Sequence, residues 1–209
     1  DYPLTQPPLF RGLENYRVIL HETDFWLSLK NTIYYACMAL PAGMCVSLGL
    51  ALLLNTKIRG LGIYRTIIFL PSLVPIVASA LLWMWIFNAK YGLLNDVLAA
   101  IGIQGPNWIA DVNTAMPSLA LMSLWGVGHT VIIYLAGLQD VPTELYEAAE
   151  IDGAESFRRM WHVTIPMISP VIFFNLIMAI IGTFQVFAVP YMMTQGGPFH
   201  ATYFYTMYL

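Results

Sequence analysis

A chain of 209 residues that is 58% hydrophobic and 14% aromatic, with a mean hydropathy of +0.67, is too apolar for an ordinary soluble domain. Charged residues make up 10% and the net charge is −3, which excludes a basic nucleic-acid-binding surface and a polybasic membrane tail. The first residue is Asp1 rather than Met and an apolar stretch reaches Leu209, so the expectation is an internal piece of a longer chain.

Residues 1–30 mix prolines, charges and aromatics. Leu13, Tyr16, Val18, Ile19 and Leu20 suggest one short helix and Phe25, Trp26 and Leu29 a second, both lying along a membrane surface. Stretches 33–54, 66–87, 116–138 and 165–193 follow, each long enough to cross a hydrocarbon core of about 30 Å, which takes about 20 residues. A fifth begins near Tyr203. Pro41, Pro71, Pro75, Pro117, Pro170 and Pro190 lie within or at the ends of these stretches and predict bent helices around a cavity. Cys37 and Cys45 stand about 12 Å apart along one helix, beyond disulfide reach, and are expected as buried small hydrophobes. Trp83, Trp85 and Trp108 are expected as anchors at the membrane interface. Between the fourth and fifth stretches, Thr194-Gln195-Gly196-Gly197-Pro198 followed by Ala201-Thr202 reads as a tight turn whose glycines supply unusual backbone angles.

The segment between the third and fourth stretches carries Glu144, Glu147, Glu150, Asp152, Glu155, Arg158 and Arg159, and charge of that density cannot sit in hydrocarbon. It reads as helix, turn, helix. Pro142 suits a first helical turn, with Asp140 or Thr143 available as a cap. Gly153 is placed to end the first helix in the left-handed conformation. Glu155 precedes Arg158 and Arg159 at helical pair spacing, Phe157 and Trp161 share an aromatic face, and Pro166 forces a bend on return to the membrane. Ala148, Ala149, Gly153 and Ala154 allow another backbone to come close, so the segment reads as a docking element. Lys57, Arg59 and Arg65 in one short loop, with Arg158 and Arg159 here, put these two loops on the cytoplasmic side, against only Lys90 in 88–115 and no basic residue in 194–202. Arg11, Arg17 and Lys30 run against that assignment.

Glu147-Ala148-Ala149, then Gly153, then Val163-x-Ile165-Pro166 resembles the EAA loop of ABC importer permeases, with Val163 and Ile165 in place of near-isosteric apolar residues. GLENYRVIL with FWLSLKNT, and T-x-G-G-P followed by A-T, are similar to the carbohydrate-uptake permeases, including maltose and glycerol-phosphate types. The resemblance implies an all-α polytopic transmembrane helix bundle, with four complete spans and the start of a fifth. Residues 1–30 would form an extracytoplasmic or interfacial lead-in and 31–209 the permease domain, with a cytoplasmic coupling loop at 140–164. It implies a multi-pass subunit of a prokaryotic inner membrane that takes up a sugar, an oligosaccharide or a polyol phosphate. Its partners would be two ATPase subunits carrying ATP and Mg, a second permease and an extracytoplasmic solute-binding protein. Glu147, Ala148, Ala149, Asp152, Gly153, Ala154 and Pro166 would be the coupling residues.

No phosphate-binding loop occurs, since Gly60–Thr66 lacks the required lysine, and no metal-ligand or nucleophile cluster can be assembled from sequence. The chain is therefore expected to bind no cofactor and to catalyse nothing itself. Polar groups at membrane depth are the remaining functional candidates: His129 and Thr130 in the third stretch, Asn175, Thr183 and Gln185 in the fourth. Phe184, Phe187 and Tyr191 add aromatic faces of the kind sugars pack against. The resemblance places WGVGHT and GTFQVF where such permeases contact substrate. Two rival readings stay open: an ABC permease for an amino acid, phosphate or polyamine, and an ion-coupled carrier, which would need paired acidic residues within the spans.

Overall fold

A computed structural model of the chain describes residues 11–56 and 60–209. Lys57 and Arg59 of the basic loop, and the first ten residues of the lead-in, lie outside the described residues. Every regular element described is helical. In order these are α1 (Glu14–His21), α2 (Thr23–Leu54), α3 (Leu61–Phe69), a 3-10 turn (Leu70–Leu73), α4 (Ile76–Ile86), α5 (Leu93–Ala100), α6 (Val112–Ser123) and α7 (Gly128–Gln139). They continue with α8 (Thr143–Ile151), α9 (Ser156–Arg159), a π turn (Met160–Thr164), α10 (Ile165–Met167), α11 (Ser169–Thr183), α12 (Ala188–Met193) and α13 (Tyr205–Tyr208).

The spine is α2. Its 32 residues rise about 48 Å, more than the hydrocarbon core needs. The second surface helix expected around Phe25 is instead the outer end of this helix. There the Phe25 ring meets Trp26, Tyr205 and Tyr208 at centroid separations of 5.1, 6.1 and 5.9 Å, which ties α2 to α13. Against α2 pack α6, α7, α11 and α13. Two apolar cores result. One, near the outer end of α2, holds Tyr35, Phe87, Met116 and Phe204; the other, near its far end, holds Leu54, Tyr134, Leu138 and Ile168.

Among the described residues, only α2 is by itself long and apolar enough to span a bilayer, and up to four spans result if each bent pair of helices is one span. The bends are 97° between Leu61–Leu73 and Ile76–Ile86, 52° between Val112–Gly126 and Gly128–Gln139, and 66° between Ser156–Met167 and Ser169–Thr183. Prolines account for part of this. Pro75 is the N-cap of α4 in an extended conformation, so the ladder cannot pass through it. Pro166 removes a donor, the preceding turn widens into a π turn, and the chain breaks at Ile168 before Pro170 starts α11. Pro41, by contrast, leaves α2 unbroken, and the 52° bend falls at Val127 rather than Pro117.

The helix in the fourth apolar stretch is shorter than that stretch suggested. It ends at Thr183, and α12 then packs beside α4. Pro190 has no N–H for the Val186 carbonyl four residues earlier, and the Thr206 hydroxyl donates to that carbonyl instead. Cys37 and Cys45 are exposed, not buried, because α2 is apolar on all faces and periodicity could not reveal which face packs on protein. Trp85 is exposed as an anchor should be, but Trp83 and Trp108 pack into the outer core. Trp108 lies 5.8 Å from Phe87 and donates its indole N–H to Asn95 Oδ1 at 2.7 Å, because the 88–111 loop folds back over the bundle.

Asn31 ties the outer end together. Its amide donates to the His200 and Tyr203 carbonyls at 2.8 and 3.1 Å, while the neighbouring Thr32 hydroxyl accepts the Tyr205 amide at 2.9 Å. Asn31→Leu leaves the half-buried Tyr203 carbonyl without this donor, while the His200 carbonyl keeps the Tyr203 N–H at 3.2 Å, and should cost about 1–3 kcal/mol for the one orphaned group. Thermal unfolding in lipid nanodiscs measures this, and an unchanged midpoint would show that water replaces the amide.

Candidate functional site

The charged connector folds as the local rules require. Helix α8 begins after Pro142, with no side-chain cap, so neither Asp140 nor Thr143 fills that role. It ends in a Schellman turn. The Ala154 N–H reaches the Ala149 carbonyl at 2.9 Å, the Gly153 N–H reaches the Glu150 carbonyl at 3.0 Å, and Gly153 sits at φ +75°. Arg159 pairs with Glu150 across this turn at 3.3 Å, not with Glu155. The reason is geometric: the tight turn brings the end of α8 back over α9. Tyr146 and Thr164 share a hydrogen bond of 3.0 Å, which anchors α8 to the π turn.

What remains projects into the surroundings. Glu147, Ala148, Asp152 and Gly153 are exposed, Ala149 and Ala154 are half-buried, and Pro166 is exposed behind them. A Cβ on Gly153 would meet nothing within 4 Å, so the chain's own packing leaves this surface open. Beside it Ile151 is 87% and Phe157 70% exposed, and Phe157 meets Trp161 edge to face at 6.2 Å. The connector and the C-terminal end of α2 lie at the same end of the bundle, because Leu54, Leu138, Val141 and Ile168 share one core with Tyr146 against it. The turn at 194–202 lies at the other end, against Asn31. Thr202, fully buried, closes it by donating to the Gly197 carbonyl at 2.7 Å, and Gly196 takes φ +79°.

Within the bundle is a cavity of about 320 Å³. It forms where the 97° and 52° bends face each other and α12 folds in. Tyr35 of α2, Ser72 of the 3-10 turn, Ser79 of α4, Ser123 at the end of α6, Trp125 and His129 supply its polar and aromatic lining. Gly128 holds two walls together, since a Cβ there would stand 2.8 Å from the Ile68 carbonyl oxygen and 2.9 Å from Phe69 Cα. The His129 ring consequently meets Phe69 edge-on at 5.0 Å.

Of the membrane-depth residues singled out from sequence, His129 lines this cavity. Thr130, next to it on α7, is half-buried and does not. Asn175 and Thr183 are buried on α11 and donate to the carbonyls four residues back, Val171 at 3.1 Å and Ala179 at 2.9 Å. Gln185 and Tyr191 are exposed beyond the end of α11, with Tyr191 stacked on Phe187 at 5.1 Å. Tyr35, Ser72, Ser79 and Ser123 were missed, and Trp125 was reached only as part of the stretch WGVGHT. The one signal for them is Pro71-Ser72-Leu73-Val74-Pro75, a double-proline break inside an apolar stretch, which marks a non-helical wall.

Comparison with known proteins gives a consistent result. A family model described as binding-protein-dependent transport system inner membrane component matches residues 39–208. The sulfoquinovosyl glycerol transport system permease protein SmoG of Agrobacterium fabrum is 36% identical over 204 residues, which are 97% of this chain and 66% of that protein. The trehalose/maltose transport system permease protein MalF of Thermococcus litoralis is 36% identical over 194 residues, 92% of this chain and 66% of that protein. The chain thus spans about two thirds of the length of these relatives. A crystal structure of a bacterial ABC transporter that imports the acidic polysaccharide alginate shares the fold, with a TM-score of 0.84 at 24% identity over 98% of this chain and 72% of that one.

Proposed function

The chain belongs to the family of binding-protein-dependent transport system inner membrane components, and from that premise we propose that it is the permease subunit of an ATP-driven importer for a sugar, an oligosaccharide or a related polyol phosphate. The observation that carries the reading is the open knuckle Glu147–Ala154: charged, rimmed by exposed Ile151 and Phe157, and left uncovered by the chain's own helices. A surface of small residues beside exposed apolar side chains, at the basic end of the bundle, suits the cleft of a soluble motor subunit. That subunit holds the ATP and Mg and performs the hydrolysis; this chain is non-catalytic. A second permease completes the pathway, and a solute-binding protein delivers at the opposite face, where the turn at 194–202 lies. Closure of the motor dimer presses on α8, and Tyr146, seated on the inner core, passes the push to α2 and α7. The two sites so coupled are the knuckle and the cavity beside His129. The knuckle faces the cytoplasm, and the chain crosses the prokaryotic inner membrane several times.

The test uses the complete transporter with Cys37 and Cys45 replaced by alanine. Ile151→Cys should cross-link to the ATPase subunit and react with impermeant reagents only from the cytoplasmic side. Phe199→Cys, 95% exposed at the other end, should react only from outside. Reversed accessibility, or no cross-link from position 151 in a transporter that hydrolyses ATP, would overturn the docking role.

A further inference from the structure

We propose that the solute passing this chain is an uncharged mono- or disaccharide, and that its cavity rejects phosphorylated and uronic solutes. The inference rests on the importer reading and narrows it. Similarity does not make the choice, because the proteins compared above are named for trehalose and maltose in one case and for an acidic polysaccharide in another.

The cavity makes it through three features. First, none of its lining residues is Asp, Glu, Lys or Arg. Its one nitrogen base is His129, and a single imidazole cannot neutralise a phosphate dianion. An anion stripped of water at membrane depth without a cationic partner is strongly disfavoured, whereas a neutral polyol loses only hydrogen bonds that it can remake.

Second, two of the four lining hydroxyls present themselves as acceptors. The Ser72 hydroxyl donates to the Phe69 carbonyl and the Ser123 hydroxyl to the Ala120 carbonyl, both at 2.6 Å. With those hydrogens committed, the oxygens offer lone pairs to the cavity. Sugar hydroxyls donate to lone pairs. A carboxylate or a phosphate dianion, which only accepts, cannot bond to these two oxygens.

Third, Trp125 lines the same space and is held edge-on to Trp83 at 6.3 Å, so its indole is fixed for the C–H face of a pyranose ring. A volume of about 320 Å³ falls at the lower end of the range for small-molecule pockets, about 300–1,000 Å³, and suits one or two sugar rings.

The experiment uses proteoliposomes holding the complete transporter, with its binding protein outside and ATP inside. The probe is an equimolar mixture of neutral mono- and disaccharides with sn-glycerol 3-phosphate, hexose phosphates and digalacturonate, and the lumen is analysed by mass spectrometry. A neutral sugar should accumulate and every anion be excluded. Trp125→Ala should raise the half-saturating concentration of that sugar about three- to tenfold, the worth of one aromatic face. Accumulation of an anionic solute would overturn this inference and leave the importer reading standing. Accumulation of nothing, despite ATP hydrolysis, would overturn this inference and leave the importer reading to longer oligosaccharides outside the mixture. An unchanged half-saturation in the Trp125 variant would show that solute does not pass through this cavity, and would overturn the inference too.

Discussion

Gly153→Trp should lower ATP-driven uptake about 5- to 150-fold, the range spanned by coupling free energies of about 1–3 kcal/mol, in a chain that still inserts and folds. Two properties of the position separate cause from cause. Its φ of +75° is a conformation that ordinary L-residues adopt at a cost of about 1–2 kcal/mol. A Cβ there meets nothing within 4 Å, so an added side chain starts in open space. Strain alone would loosen the Schellman turn; bulk alone would obstruct a docking partner. Gly153→Asn tells them apart, because asparagine tolerates the left-handed conformation and adds little volume. The asparagine variant should keep most of the uptake. Solute moved per ATP hydrolysed, in proteoliposomes, is the measurement. Full uptake by the tryptophan variant would mean that nothing approaches this surface.

Gly128→Val should have a large effect of another kind. Here a Cβ collides with two backbone atoms, the Ile68 carbonyl oxygen at 2.8 Å and Phe69 Cα at 2.9 Å, and neither can swing aside as a side chain does. The start of α7 must lift off the end of α3, at the cost of about 1–3 kcal/mol typical of overpacking. His129 moves with it and the cavity changes shape. The variant should therefore lose both thermal stability and uptake. Gly43→Ala, inside α2 with nothing within 4 Å, is the control and should be close to neutral. Unfolding midpoints in nanodiscs, read beside uptake, check both. A Gly128→Val transporter as stable as the parent would show that the two walls separate freely.

The unequal legibility of these two glycines has a physical basis. Gly153 could be placed from sequence because a Schellman turn is set by its own few residues: an alanine-rich helix before it and a residue free to take positive φ. The knuckle, the Phe157–Trp161 pair and the break near Pro166 are local in the same way, and all were found. Gly128 carries no such mark. Its constraint comes from a segment far away in the chain, and WGVGHT reads the same whether or not Ile68 lies beneath it. The ion pair shows the limit within a single loop: helical spacing favoured Glu155 for Arg159, and the turn delivered Glu150.

Composition and local pattern alone determined that this chain is helical, belongs in a membrane and carries a charged, small-residue turn, because hydrophobic run length, charge density and turn chemistry act over a few residues at a time. Only the tertiary structure decided which helices bend and where, that α2 stays unbroken through Pro41, that the helix of the fourth apolar stretch stops at Thr183, and that the hydroxyls of Tyr35, Ser72, Ser79 and Ser123 come to surround one cavity. In a span that is apolar on every side, no periodic contrast separates the face that meets lipid from the face that meets protein. The choice is made by packing between elements distant in sequence.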